Sequence, residues 1–381
     1  MRGIYLDNAA TSYPKPESVC DAVDHFNRYL GGNPGRGAHR ATLQAGNIIL
    51  EARESLAALF NIEDANYIAF MSNVTEALNT ALKGLLQPGD HVITSDMEHN
   101  AMARPLYVLS RQGIEWTQIH ASMKNGLDPE DVRRAIKPNT KLITLLHASN
   151  LTGAIMPITA IGKIAREHDI TFMVDSAQSA GVLPIDVIAQ NIDVLAFTGH
   201  KGLLGLQGTG GLYVKPGLFI RRLKEGGTGS FSEHLTHPDF MPDHLEAGTP
   251  NTPGIIGLLA GVNFVRAAGV DKIREHEIRL CERLLQGLRE IPGVIVYGPA
   301  DSKDRTAVIA FNISGRDCGD VSFNLDHRYG IICRAGLHCA PLAHTCIGTF
   351  ETGACRLSPG FFNNEEDIDR TIKAIYTLAK E

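Results

Sequence analysis

From about residue 67 to 215 the chain alternates short apolar, β-branched runs with amphipathic stretches. The runs are Tyr67–Met71, His91–Thr94, Lys141–Leu146, Thr171–Val174, Val194–Phe197 and Gly211–Val214, each with the length and pattern of a buried strand. After the first of them, Leu78, Ala81, Leu82, Leu85 and Leu86 recur at i, i+3, i+4, i+7 and i+8, which lays them along one helical face. Asn73 and Glu76 read as a capping box at the start of that helix, and Pro88-Gly89 stops it. Asp128-Pro129 opens another helix, with proline at the tolerated first position. Such alternation predicts an α/β fold with a mostly parallel sheet covered on both faces.

After about residue 250 the rhythm changes. Pro253 and Gly254 interrupt it, and a long helix is predicted over roughly Asp271 to Glu290. Strands are then expected at Val294–Tyr297 and Thr306–Ile313, a helix near Val321–Arg328, short strands at Ile331–Arg334 and Cys355–Ser358, and a last helix from about Glu365. This part reads as a smaller α+β domain.

Composition narrows the class. The chain has 381 residues, 44% hydrophobic and 20% charged, ordinary for a globular protein of two or three domains. Lys+Arg is 36 and Asp+Glu is 42, a net charge of −6, so no basic excess points to nucleic acid or an anionic membrane. The opening MRGIYLDNAATSYPK lacks the apolar core of a secretory signal, and the most apolar stretch, Gly254 to Val262, is far too short to span a membrane. Seven cysteines in such a length are no disulfide scaffold, and reduced thiols in the cytoplasm are expected.

Five places could carry chemistry. Lys201, in FTGHKGLLG, follows an apolar strand, where desolvation would lower its pKa and make it a Schiff-base amine; taken alone it reads more readily as a surface lysine in a loop. Asp175, in FMVDSAQSAG, stands at a strand's carboxyl end, where open α/β sheets bind ligands. There it could keep a heteroaromatic nitrogen protonated, or simply cap a helix. Ser72-Asn73-Val74-Thr75 sits at a helix N-terminus suited to phosphate, and no Walker A or GxGxxG pattern is present. His99, in DMEHNA, lies at the same sheet edge, as a ring to stack on a planar cofactor or as a structural residue. Cys339, in CRAGLHCAPLAH, has Arg334 and His338 near it, which would favour a thiolate. It could instead be a buried apolar residue or, with His338, His344 and Cys346, part of a metal site, although HCx4HxC is not a usual zinc spacing.

Together, YLDNAAT, SNVTEALN, DMEHNA, SNLTG, DSAQ, TGHK, EAGTP and RAGLHCAP, in this order from about Tyr5 to Asn363, resemble the cysteine desulfurases, in the class V branch of the fold-type I pyridoxal-phosphate enzymes. The resemblance implies a large domain over 15–255 with a mostly parallel sheet of the seven-stranded type. It also implies a small α+β domain, from 1–14 and 256–381, carrying the catalytic cysteine. Lys201 would hold pyridoxal 5′-phosphate as a Schiff base, Asp175 would pair with its ring nitrogen, His99 would stack on it and Gln178 would bond its phenolic oxygen. Thr75, Thr198 and His200 would hold the phosphate, with Thr249 reaching in from a second subunit of a homodimer. Asn150 and Arg356 would grip the substrate carboxylate, with Arg334 a further cation. Lys201 would then move the α-proton of L-cysteine, and Cys339 would take its sulfur as a persulfide, releasing alanine. No metal is implied.

The run Arg334-Ala335-Gly336-Leu337-His338-Cys339 is similar to the subgroup with a short, ordered R-x-G-x-H-C segment. A short segment cannot swing far, so passing sulfur on, as in iron–sulfur cluster assembly, should need a docked acceptor protein. Leu337, Thr152 and Pro359 depart from common family patterns, and Cys346 has no assigned part. Alternative readings are a selenocysteine lyase, a class V aminotransferase in which Cys339 is incidental, and a non-catalytic thiol- or sulfur-carrier binding protein.

Overall fold

The computed structural model describes residues 3–35, 37, 39–122 and 126–381. In chain order the strands are β1 (Ile4–Tyr5), β2 (Ile68–Met71), β3 (His91–Ser95), β4 (Glu115–Ile119), β5 (Thr140–Leu146), β6 (Thr171–Asp175), β7 (Val194–Thr198), β8 (Gly210–Val214), β9 (Val294–Tyr297), β10 (Ile309–Ile313), β11 (Ile331–Ile332), β12 (Arg334–Gly336) and β13 (Ala354–Leu357). The helices are α1 (Glu17–His25), α2 (Arg40–Phe60), α3 (Val74–Leu85), α4 (Asn100–Ser110), α5 (Pro129–Arg134), α6 (Ile158–Glu167), α7 (Thr252–Ala268), α8 (Val270–Arg289), α9 (Cys318–Tyr329), α10 (Pro341–Cys346) and α11 (Glu365–Lys380).

Seven strands form one sheet in the order β2-β8-β7-β6-β5-β3-β4. Only β8 runs against the others, so β2, β3, β5, β6 and β7 open their carboxyl ends on one edge. Separate apolar clusters cover the two faces. Leu195, Phe172 and Ile143 belong to one, Ala196, Met173 and Leu142 to the other, as the strand period of two demands. The second part of the chain builds an antiparallel sheet, β12-β13-β10-β9, packed on α8, α9 and α11. Next to it β1 pairs with β11, which returns the N-terminus to the small domain.

The predicted helices and all but one of the predicted strands are present, and the differences have local causes: the strand expected over Ile331–Arg334 is two, β11 beside β1 and β12 beside β13, because the chain passes from one sheet to the other at Cys333. Strand β4 was not expected because its sequence, EWTQI, is half polar; it is an edge strand with a partly exposed pattern. Pro253 and Gly254 do not break the chain. They form the first turn of α7, where proline needs no N–H donor and the Asn251 side chain accepts the Gly254 N–H at 3.1 Å. That helix crosses residue 255 unbroken and packs on α1 and α2. At the start of α3, Asn73 accepts the Glu76 N–H as a cap, but Glu76 Oε2 takes the Ser72 N–H at 2.7 Å, one residue before the box position. Thr306 does not extend β10; its N–H is given to Gly153 O in the large domain. No single helix among the described residues is long and apolar enough to cross a membrane.

Candidate active site

Asp175 ends β6 and Lys201 lies three residues beyond β7, on neighbouring strands of the same edge. The loops that follow them touch through glycines. A Cβ on Gly181, whose φ is +82°, would meet Gly202 O at 2.3 Å, and one on Gly202 would meet Ala180 O at 2.5 Å. Burial holds the Lys201 amine down at about 8, with Arg356 and Arg334 adding to the effect and Asp175 opposing it. Asp175 does not cap a helix, since only turns lie between β6 and β7; it caps the first of those turns. Its Oδ1 accepts the Ala177 N–H at 2.9 Å, and its other oxygen has no protein donor among the described residues. Burial raises its pKa and the Lys201 charge lowers it.

His99 caps α4, accepting the Ala101 N–H on Nδ1 at 3.0 Å, so its proton sits on Nε2. Burial, then the cations Lys201 and Arg356, hold it down at about 4. The N-terminal segment secures the TGHK loop: Ser12 N, Thr11 Oγ1, Ser12 Oγ and Lys15 Nζ all donate to His200 O. This gives NAATSYPK a structural reason. The Gln178 amide nitrogen donates to Ala9 O at 2.9 Å, tying the same segment to the DSAQ loop. Thr198 is buried, with its hydroxyl 3.4 Å from Thr209 O. Thr75 lies in the first turn of α3, and Thr249 is exposed, beside Ser72, Glu76 and Thr209 in a cavity at that end of the sheet.

The small domain supplies the other wall. Arg356, on β13, is 2% exposed and donates from Nη2 to Asp7 Oδ1 at 2.7 Å and from Nη1 to Asn150 O at 2.9 Å. Asn150 Nδ2 donates to His338 O at 2.7 Å, so its donor is placed on the cysteine segment. Asn100 N donates to Cys339 O at 2.8 Å. Arg334, exposed on β12, pairs in register with Arg356.

His338 and Cys339 have φ of +50° and +54°, and Ala340 N bonds Leu337 O at 2.9 Å. These are the φ signs of a type I′ turn, which favours Asn and Gly. Two consecutive residues that are neither Asn nor Gly are therefore held in the left-handed region by their surroundings. A chain of imidazoles does much of this. The His338 and His344 rings stack at 6°, with Nδ1 of the first 3.3 Å from Nε2 of the second. His344 Nδ1 is 2.7 Å from Thr349 Oγ1, and His338 Nε2 is 3.4 Å from Arg334 O. Burial keeps both rings neutral, His338 at about 3. A carbonyl only accepts, so His338 Nε2 donates, His344 Nε2 donates to His338 Nδ1, and the Thr349 hydroxyl donates to His344 Nδ1. With Nδ1 engaged by His344 and Nε2 by Arg334 O, His338 has no free ring nitrogen to offer Cys339.

Among the free cysteines only Cys20 and Cys339 are exposed. Burial pushes Cys281 and Cys333 up to about 11 and raises Cys318 and Cys355 as well. The quartet His338, Cys339, His344 and Cys346 does not converge on a metal: the two histidines bond each other, while Cys346 Sγ turns to Ala121 O at 3.0 Å. Sequence reasoning did not single out Asp7, Glu98, Thr349 or His147. Asp7 was visible inside YLDNAAT, and Glu98 beside His99. Glu98 is fully buried between Ser95 Oγ and the Leu146 N–H, which with burial dominant leaves its acid at about 8.

An open, mostly parallel sheet with a half-buried lysine and a buried carboxylate on adjoining strand ends, faced by a buried arginine and an exposed thiol from a second domain, defines an α/β enzyme of amine chemistry. The family description Aminotransferase class-V matches residues 4–371. A protein of Methanothermobacter thermautotrophicus described as a probable cysteine desulfurase is 34% identical over 371 residues, covering 96% of this chain and 92% of that one. A cysteine desulfurase of Salmonella dublin is 34% identical over 381 residues, covering 97% and 92%. Among solved structures, the apo cysteine desulfurase of Thermococcus onnurineus NA1 superposes with a TM-score of 0.92 at 32% identity, covering 99% of this chain and 95% of that one. The S-sulfonic acid form of the Escherichia coli cysteine desulfurase CsdA does so with 0.88 at 30%, covering 99% and 94%. The chain belongs to the class-V aminotransferase family, and within it to the cysteine desulfurases.

Proposed function

We propose that the chain binds pyridoxal 5′-phosphate at the carboxyl edge of the large sheet and transfers the sulfur of L-cysteine to Cys339, releasing L-alanine. The residues fit the cofactor. Buried polar atoms without protein partners gather at this edge, among them His200 Nδ1, His147 Nδ1 and Asn150 Oδ1. The Lys201 charge acts on the Asp175 carboxylate, which ends the neighbouring strand. When bound, the cofactor withdraws electrons from the substrate Cα, which makes the Cα–H acidic and the γ-sulfur open to attack.

The chain's own residues divide the remaining work. Lys201 Nζ is the attachment point and, as a free amine held near pKa 8, takes the Cα proton. Asp175 would hold the pyridine nitrogen protonated, His99 would support the ring and Gln178 would bond its phenolic oxygen. The N-terminus of α3 with Thr75, Thr198 and His200 would hold the phosphate, and Thr249 would come from the second subunit of a homodimer. Arg356 grips the substrate carboxylate with its fork, aided by Arg334 and Asn150. Cys339 Sγ attacks the γ-sulfur: the S–S bond forms, the Cβ–Sγ bond breaks, and its electron pair passes to the carbon fragment, which takes up protons to become alanine. The persulfide then goes to an acceptor protein, as sulfur mobilisation for iron–sulfur clusters requires.

The observation that carries this reading is the 2.8 Å bond from Asn100 N to Cys339 O, which ties the exposed thiol to the residue after His99. Incubation of the cofactor-loaded enzyme with L-cysteine is expected to add one sulfur atom to the Cys339 peptide, read by mass, with one alanine per sulfur. Alanine production at the wild-type rate by Cys339→Ala sinks the proposal.

A further inference from the structure

Cys346 has no part in the reaction above, yet its surroundings are built. Asp96 lies just beyond β3 and His120 just beyond the neighbouring β4, at the same sheet edge. The Asp96 carboxylate is fixed on both oxygens: Oδ1 accepts the Ala121 N–H at 2.9 Å, and Oδ2 is 2.6 Å from His120 Nδ1. Cys346, the last residue of α10, brings its sulfur to the same place by donating to Ala121 O at 3.0 Å. One ligand atom from each of Asp96, His120 and Cys346 lies within 4.8 Å of the others, the one such convergence among the described residues.

We propose that Asp96, His120 and Cys346 form a site for a single zinc-type divalent cation, with a fourth position open to water or an exogenous thiolate. The donor set of one thiolate, one imidazole and one carboxylate is that of a borderline-soft ion that accepts four-coordinate geometry. Bond lengths of about 2.0–2.3 Å at tetrahedral angles place donors roughly 3.3–3.6 Å apart, so Asp96 Oδ2 and His120 Nδ1, now 2.6 Å apart, must give up their hydrogen bond and open, while the sulfur, within 4.8 Å of both residues' ligand atoms, keeps its place beside them. The His120 side chain is 73% exposed and free to supply this movement, and it leaves the ion a path from solvent. Without a cation, burial and the Asp96 carboxylate push the Cys346 thiol up to about 11, which keeps it protonated. Binding exchanges that proton for the metal: the S–H bond breaks, the S–metal bond forms and one proton leaves to solvent. Thiolate and carboxylate together then neutralise the dication.

The position gives the site a consequence. Asp96 is three residues before His99, and Cys346 is seven residues after Cys339. A bound ion therefore ties α10, which follows the reactive cysteine, to the turn that carries His99, and stiffens the cysteine segment from its far end.

The test uses the cofactor-loaded enzyme carrying Cys20→Ser and Cys339→Ser, so that no other exposed thiol competes. Titration with Co2+ is expected to saturate at one ion per chain with the intense visible bands of four-coordinate, thiolate-bound Co2+, and Zn2+ is expected to bleach them. Adding Cys346→Ser should remove the thiolate signature. Adding His120→Ala, an exposed change that leaves the fold intact, should weaken binding at least about tenfold. Failure of the bands to appear, or their survival in both variants, overturns the proposal.

Discussion

The Asn100 N–H donates to the carbonyl of Cys339 at 2.8 Å, so the residue bearing the reactive thiol hangs on the helix that His99 caps. A second strap, from Asn150 Nδ2 to His338 O, holds the preceding residue. Between the straps the backbone is left-handed at two residues that are neither glycine nor asparagine. Asn150→Ala removes one strap and is expected to destabilise the fold by about 1 kcal/mol. It should also speed alkylation of Cys339 by iodoacetamide several-fold, because the turn is released. An unchanged alkylation rate would show that the strap does not restrain the turn.

The imidazole chain makes a sharper prediction. Thr349→Val keeps the shape of the side chain but leaves buried His344 Nδ1 without a donor, at a cost of about 1–3 kcal/mol. In wild-type protein, nitrogen NMR should show Nδ1 unprotonated and Nε2 protonated on both His338 and His344. The opposite tautomer on either ring contradicts the assignment.

Arg356 is buried with one carboxylate partner, Asp7. Asp7→Ala leaves that cation unpaired and is expected to cost about 3 kcal/mol in unfolding free energy, whereas Asp7→Asn, which keeps an acceptor, should cost less. Chemical denaturation of the two variants measures the difference. Equal losses would mean that Asp7 acts through packing and not charge.

Acid stability follows from histidines whose charged form desolvation disfavours. His99, His147 and His200 are held at about 4 and His338 at about 3, against an ordinary 6.5. As pH falls below 6.5 the unfolded chain binds these protons and the folded chain does not, so stability falls with pH down to about 4. Glu98 and Glu277, raised by burial to about 8, act in the opposite sense, since the folded state is the one that holds their protons above pH 4.5. Four histidines against two carboxyls leave a net loss on acidification between about pH 6.5 and 4.5. Denaturation midpoints should fall across that window, and Glu98→Gln, which removes one opposing group, should steepen the fall. A flatter profile in Glu98→Gln refutes the assignment of a neutral Glu98.

The strands of the large sheet, the helix after Asn73 and the last helices were legible because their apolar positions repeat at 2.0 or 3.6 residues and their ends carry caps. Lys201, Asp175, His99 and Cys339 were legible as chemistry because each follows a strand or sits among glycines and cations. What the sequence could not hold was distance across the chain. Asp7 meets Arg356, Asn150 meets His338 and Asn100 meets Cys339 over separations of more than one hundred residues, and no local periodicity encodes such pairs. The sequence by itself determined the elements, their order and the residue types able to do chemistry. Only the tertiary structure decided that the N-terminal segment secures the His200 loop, that His344 and Thr349 set the proton positions beside Cys339, and that Cys346 turns toward Asp96 and His120. The physical reason is that hydrogen-bond satisfaction and burial are properties of the packed chain, settled when separate strand ends and a second domain close on one edge.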